Sequence, residues 1–242
     1  MRCFIQPGKW ADPTVVLDAE ESHHALGVLK AREGQAIDVF NGCGGKGRAT
    51  ISAIRKNTVT LAIDRRTADE PRTPSITLIQ AVPREQKMDF AIQKAVELEA
   101  SAIAPVITEH CVVRLKPAQA EERLERWRKI ALNAGKQSGC AWLPRIAPVV
   151  DLDRYLAARP AFDLLLVGAL TGQTHPFKEA LRSLPARPET VGIFIGPEGD
   201  FSPRELQAVL SAGAVPVTFG PNVLRVETAA IYALSVLRYE FG

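Results

Sequence analysis

The 242-residue chain is 46% hydrophobic and 24% charged, proportions that exclude a disordered tail, a collagen-like repeat and a coiled-coil rod. Its net charge of +3 is mildly basic, and Arg84–Arg145 carries a Lys/Arg excess as large as that of the whole chain, which suits either a solvated face or a polyanionic partner. The longest strongly apolar stretch, Phe162–Leu170, contains Asp163 and is too short to span a bilayer, and Met1–Gln6 lacks the apolar core of a secretory signal, so a cytoplasmic chain with no membrane contact is expected.

The first 70 residues read as short β pieces: Val15–Leu17, Ala36–Phe40, Ala49–Ile54 and Thr58–Ile63 alternate or run apolar over strand lengths. A short helix is predicted from near Glu20. Asn41–Gly47 lies between two of the strands as a hairpin loop. It is not a phosphate loop, because Gly47 follows Lys46 where Ser or Thr is needed and no helix signal comes after. A small barrel-like β domain over residues 1–70 is the expectation.

Asp69–Pro74, polar with two prolines, marks a boundary, and from residue 74 to 242 the pattern changes. Ile76–Val82 reads as a strand and Gln86–Ala100 as a helix, with Met88, Ala91, Ile92, Ala95 and Val96 on one face. Ala102–Ile107 is a strand, and Pro117 to about Lys136 a long helix. Leu164–Val167, Val191–Ile195 and Val215–Phe219 are further buried strands, with helices starting near Pro203 and Glu227. Short all-apolar strands alternating with helices imply a mostly parallel sheet covered on both faces, an α/β fold.

Four cysteines at 3, 43, 111 and 140 and four scattered histidines match neither a disulfide framework nor a metal site, and no metal is expected. A strand-linked GxGxxG, a GxSxG elbow and an HExxH are all absent from the sequence, against a nucleotide-binding Rossmann unit, an α/β-hydrolase and a zinc protease.

Ligand sites of open α/β sheets lie beyond the carboxyl ends of the strands. One such end, Ile195-Gly196-Pro197-Glu198-Gly199, opens backbone groups to a flat polar ligand before Ser202, Pro203 and Glu205 cap a helix. A second, Phe219-Gly220 through Leu224-Arg225-Val226-Glu227-Thr228-Ala229, sets Arg225 and Glu227 among apolar residues. Charges so placed are either paired with each other, holding the last helix, or bound to a ligand. A third, Val167-Gly168-Ala169, is glycine-rich and weak alone.

Gly196–Gly199 followed within one β/α unit by Leu224–Ala229 resembles the paired signature of the SPOUT, or trefoil-knot, methyltransferases. Lys87-Met88-Asp89, Gln93–Leu98, Thr108-Glu109, Val112-Val113, Arg126–Ala131 and Gln137-Ser138-Gly139, with His23-His24 and Val28–Lys30 at the front, are similar to the family that methylates uracil N3 in small-subunit ribosomal RNA. The similarity covers nearly the whole chain. It departs at Asp200, where a third glycine is common, at Cys140-Ala141-Trp142, where Arg is frequent, and at Lys30, where Arg is frequent.

The resemblance implies a PUA-like RNA-binding β-barrel followed by an α/β domain with a deep trefoil knot, S-adenosylmethionine as cofactor, homodimers, and a uridine of 16S ribosomal RNA as substrate. The cofactor would lie against Ile195, Gly196, Pro197, Glu198, Gly199, Phe219, Gly220, Leu224, Arg225, Glu227, Thr228 and Ala229, with Val167, Gly168 and Ala169 lining the pocket. Arg225 would stabilise charge on the uracil, Glu227 would hold Arg225 or touch the cofactor, and Glu198 would act as base or brace the turn. RNA phosphates would meet Arg2, Lys30, Lys87, Lys94, Arg114 and Lys136. Two other readings stand beside this one: methylation of another RNA position or atom, and a non-catalytic RNA-binding or assembly protein.

Overall fold

The computed structural model describes residues 2–84, 86–170 and 172–242. They form two compact units, Met1–Pro71 with Leu132–Leu143, and Arg72–Ala131 with Pro144–Gly242.

In the first unit β1 (Arg2–Phe4), β2 (Thr14–Val16), β3 (Ala36–Phe40), β4 (Gly45–Arg55) and β5 (Thr58–Ala68) form one sheet in the order β1-β3-β4-β5-β2. β3, β4 and β5 are an antiparallel meander, and β1 joins β3 in parallel with Arg2 opposite Asp38. Period-2 alternation turns Ile37, Val39, Ala49, Ile51, Val59 and Leu61 into one core with Cys3, Ile5, Val15 and Leu17. Burial beside Glu21 pushes the Cys3 thiol up to about 12, so it packs as a small hydrophobe.

Among the described residues the outer strands β1 and β2 do not pair, so strand ladders alone do not close the expected barrel. Side chains of α1 (Ala19–His23) satisfy the backbone groups there instead. Asp18 caps the helix through Glu21 N at 2.8 Å. The Ser22 hydroxyl donates to Leu17 O and accepts from Val59 N, each at 3.2 Å, and Glu21 Oε2 accepts from Phe4 N at 2.9 Å. Each bond occupies an edge group that would otherwise be left without a partner.

Leu132–Leu143 joins this unit although it lies beyond the polar boundary in sequence. Gly44 N donates to Ala141 O at 3.0 Å, Leu143 N to Gly42 O at 2.9 Å, and Trp142 Nε1 to Asp69 O at 3.0 Å. Gly44 has φ +86, and a Cβ there would stand 2.5 Å from the Trp142 ring, so only glycine serves.

The second unit contains β6 (Ser75–Ala81), α2 (Lys87–Glu97), β7 (Ala102–Ile107), α3 (Pro117–Ser138, whose last turns belong to the first unit), β8 (Arg145–Ile146), β9 (Val150–Asp151) and α4 (Leu152–Ala158). It continues with β10 (Leu164–Gly168), β11 (His175–Pro176), α5 (Phe177–Arg182), β12 (Thr190–Ile195), α6 (Pro203–Ser211), β13 (Val215–Thr218) and α7 (Val226–Phe241). The sheet runs β11-β13-β10-β12-β6-β7-β8, with β9 also on β7, and every pairing is parallel.

Both faces are covered, which is why the strands read as continuous apolar runs. Leu152 of α4 and Val209 of α6 pack on Ile79, Val106, Leu165, Val167 and Phe194. On the other face α2 and α7 pack together, and α7 lies over β6 and β12. α2 buries Met88, Ala91, Ile92, Ala95 and Val96, the face its sequence spacing marks. Because β10, β12 and β13 are parallel and adjacent through β10, the loops at their carboxyl ends emerge on one side.

Candidate functional site

Those three loops enclose a cavity of about 280 Å³. Gly168 ends β10 and is followed by Ala169 and Leu170; Ile195 ends β12 and is followed by Gly196, Pro197, Glu198 and Asp200; Phe219, Gly220 and Asn222–Val226 follow β13. Val217 and Thr218 at the end of β13, Ala229 in the first turns of α7 and Lys87 at the start of α2 complete the wall.

The wall is built for close approach. A Cβ on Gly168 would stand 2.8 Å from the Phe219 ring, and one on Gly196 would stand 3.0 Å from Asp200 Oδ1. Phe219 is held by Phe177 (ring centroids 5.3 Å apart) and Tyr232 (5.5 Å), an aromatic trio that fixes one side of the cavity. Behind Ile195, the fully buried Gln80 donates through Nε2 to Ile195 O at 3.3 Å and to Ala81 O at 3.0 Å, while its Oε1 has no hydrogen-bond partner.

The turn after β12 is braced from both sides. Ser202 and Glu205 form the capping box on α6, with Ser202 N donating to Glu205 Oε2 at 3.0 Å. The other Glu205 oxygen accepts from Glu109 N at 2.8 Å, tying the loop after β7 to this cap. From that loop His110 Nδ1 donates to Gly199 O at 2.8 Å and to Asp200 O at 3.0 Å. These two carbonyls, the Asp200 one foremost, hold the His110 pKa above its usual 6.5, with Glu109 and Glu205 adding smaller pushes in the same direction.

Glu198 is held by Lys87 Nζ at 2.7 Å and by Arg84 N at 3.3 Å. Partial desolvation pushes its pKa up, but the Lys87 bond and the backbone donors outweigh that and leave it below the ordinary carboxylate range. An ionised carboxylate bound to a lysine braces its turn and is a poor proton acceptor, which favours the bracing role over the base.

Arg225 is the exposed N-cap residue of α7, at the cavity wall, and no side-chain cap bond is made there. Among the described residues it forms no ion pair with Glu227, so of the two arrangements the sequence leaves open, the pairing is absent. Glu227 does not line the cavity, and its Oε2 is buried without a hydrogen-bond partner.

Of the residues expected at a cofactor, the structure brings Gly168, Ala169, Ile195, Gly196, Pro197, Glu198, Phe219, Gly220, Leu224, Arg225 and Ala229 onto one cavity. Val167 is fully buried in the sheet instead, and Gly199, Glu227 and Thr228 lie off the wall. Strand alternation explains Val167, whose side chain joins the α4–α6 core. Leu170, Asp200, Asn222 and Val223 also line the cavity. Asp200 has a sequence signal as a break in a glycine turn, Asn222 and Val223 lie within the loop from Phe219 to Ala229 that the sequence marks, and Leu170 has none.

The basic residues divide. Lys30 is exposed, with φ +51. Lys94 lies over the Phe90 ring and pairs with Glu97 at 2.8 Å, and Arg114 donates to Glu109 O at 3.1 Å. Arg2 lies over the Phe40 ring and lines a surface groove with Lys46, Arg48 and Arg65. Lys136 is not a surface residue: it pairs with Glu21, and the two side chains are 10% and 3% exposed. Its ammonium is committed to a buried carboxylate, which corrects its place among phosphate contacts.

A family model described as an RNA methyltransferase domain matches residues 70–238, and one described as an RNA methyltransferase PUA domain matches residues 17–64. The chain is 30% identical over 233 residues to the ribosomal RNA small subunit methyltransferase E of Bacillus subtilis, covering 94% of this chain and 91% of that one. The enzyme of the same name from Mycobacterium tuberculosis is 30% identical, with 92% and 85% covered. Among solved structures, a Neisseria gonorrhoeae ribosomal RNA small subunit methyltransferase E bound to S-adenosylmethionine superposes with a TM-score of 0.88 at 30% identity, covering 100% of this chain and 98% of that one. A Legionella pneumophila protein solved in complex with S-adenosylmethionine gives 0.90 at 31% identity, with 98% and 96% covered.

Proposed function

The chain belongs to the ribosomal RNA small subunit methyltransferase E family, and on that premise we propose that it transfers the methyl group of S-adenosylmethionine to N3 of a uridine in 16S ribosomal RNA. The observation that carries this reading is the convergence of the loops after β10, β12 and β13 on one cavity whose walls are glycine backbone and apolar side chains, with a free guanidinium at its edge.

The residues present fit the cofactor. Gly168 and Gly196 let Phe219 and Asp200 pack directly on the backbone of the wall, and Leu170, Ile195, Leu224 and Val226 offer apolar faces to a flat ring. When bound, S-adenosylmethionine supplies an activated methyl group, so the protein has to orient two reactants and manage one proton.

Methylation at N3 replaces the N3–H proton, and negative charge develops on the uracil as that proton leaves. Arg225 is the cation available to hold this charge, because Lys87 is bound to Glu198 and Arg225 has no ion-pair partner among the described residues. Arg2, Lys30 and Arg114 contribute positive potential for RNA phosphates, whereas Lys87 and Lys94 are each held by a glutamate.

A trefoil knot formed by the C-terminal segment is supported by the order of the strands, since the chain leaves β13 beyond β10 and returns to pack α7 over β6 and β12. A homodimer is supported by the exposure of Tyr239 on α7 and of Phe90 on α2 in one chain. A cytoplasmic location follows from the ribosomal substrate.

The test is Arg225→Ala, measured for cofactor affinity by calorimetry and for transfer to small ribosomal subunits. Retained affinity with transfer reduced about a hundredfold is expected, the range for loss of one charge-stabilising group. Normal transfer by a folded variant removes Arg225 from the reaction.

A further inference from the structure

We propose that Asp200 lets this site distinguish the sulfonium form of its cofactor from the uncharged thioether left after transfer. This goes beyond the methyltransferase reading and rests on it.

Among the described residues, four charged side chains line the cavity: Lys87, Glu198, Asp200 and Arg225. Lys87 and Glu198 neutralise each other at 2.7 Å. Asp200 and Arg225 have no ion-pair partner among the described residues, so one uncompensated anion and one uncompensated cation face the same space. Arg225 serves the anionic partners, the RNA and the uracil that loses its proton. The carboxylate has a different ligand to meet.

Asp200 is also held in place. Its backbone has φ +57, the left-handed region where a third glycine would be at ease. The side chain compensates by bonding across two loops: Oδ1 accepts from Phe201 N at 2.8 Å, and Oδ2 accepts from Leu170 N at 3.2 Å. His110 holds the Asp200 carbonyl from the opposite side at 3.0 Å. The backbone donors are neutral dipoles, so they orient the carboxylate without cancelling its charge.

S-adenosylmethionine and S-adenosylhomocysteine differ by one methyl and one positive charge. A fixed carboxylate on the cavity wall attracts that extra charge, and a sulfur seated nearer to Asp200 than to Arg225 gains from it. At the effective dielectric of a partly open site the preference is about three- to tenfold. The charged reactant is therefore held and the uncharged product released more easily, which makes Asp200 a specificity-determining residue.

The test is calorimetric titration of the wild-type chain, Asp200→Asn and Asp200→Gly with S-adenosylmethionine and with S-adenosylhomocysteine, at low and high salt. Asparagine and glycine both accept the positive φ, and asparagine keeps one acceptor oxygen. In both variants affinity for S-adenosylmethionine is expected to fall about three- to tenfold while that for S-adenosylhomocysteine changes less than about twofold. Equal losses for the two compounds in both variants would show that Asp200 only braces the loops, and would overturn the proposal while leaving the methyltransferase reading intact. Failure of the wild-type chain to bind either compound would overturn both.

Discussion

Lys136→Met separates a structural lysine from an RNA-contacting one. Lys136 pairs with Glu21, whose second oxygen accepts from Phe4 N at 2.9 Å, and neither side chain of the pair is more than 10% exposed. Methionine keeps the aliphatic stem but leaves a buried carboxylate with one neutral donor. Removing one partner of a buried pair costs about 3–5 kcal/mol, largely because the remaining charge stays desolvated. Glu21→Gln alone should destabilise by a similar amount. The double variant should cost clearly less than the sum, with a coupling energy of about 2 kcal/mol or more. Urea unfolding followed by tryptophan fluorescence reads this, since Trp10 and Trp142 both lie in the first unit. Refutation would be a Lys136→Met protein with an unchanged unfolding midpoint, weaker RNA binding and a salt slope smaller by about one, the signature of a lost phosphate contact.

Gly168→Ala places a Cβ 2.8 Å from the Phe219 ring. It should destabilise by about 1–3 kcal/mol through overpacking and lower cofactor affinity by pushing that ring into the cavity. Unchanged unfolding and calorimetry would contradict the close packing. His110→Asn removes a group whose pKa is raised by the carbonyls of Asp200 and Gly199. The stability His110 contributes is fully present below about pH 6.5, its unfolded value, and is lost as pH rises through the raised folded value. The wild-type advantage over the variant should therefore shrink on going from pH 6 to pH 8 in thermal unfolding; a constant difference would remove the imidazolium from the brace.

What could be read in the sequence was whatever is decided locally. The α6 cap is legible because Ser202 and Glu205 are three residues apart and bond within one turn, with Pro203 at the first helical position. The buried strands are legible because a parallel sheet covered on both faces demands continuous apolar runs. The cavity loops are legible because glycines at strand ends mark close backbone approach. The misses are long-range. Lys136 sits on a helix whose residues are mostly polar, and its partner Glu21 lies 115 positions away, so nothing local marks it as buried. Leu132–Leu143 joins the first unit through Gly42, Gly44 and Asp69, contacts that cross the polar boundary at Asp69–Pro74. Strand β1 has only three residues, too few for a period to register. α4 and α5, of seven and six residues, fall below the length at which helical periodicity is readable. Arg225 and Glu227 stand out in the sequence as charges among apolar residues, but among the described residues the turn of α7 does not bring them into an ion pair.

The central claim is methyl transfer to uracil N3. Its most direct test is incubation of the chain with labelled S-adenosylmethionine and small ribosomal subunits from a strain lacking the endogenous activity, followed by nucleoside analysis of the RNA. The account predicts label in 3-methyluridine. Label in any other nucleoside, or none despite measured cofactor binding, would contradict it.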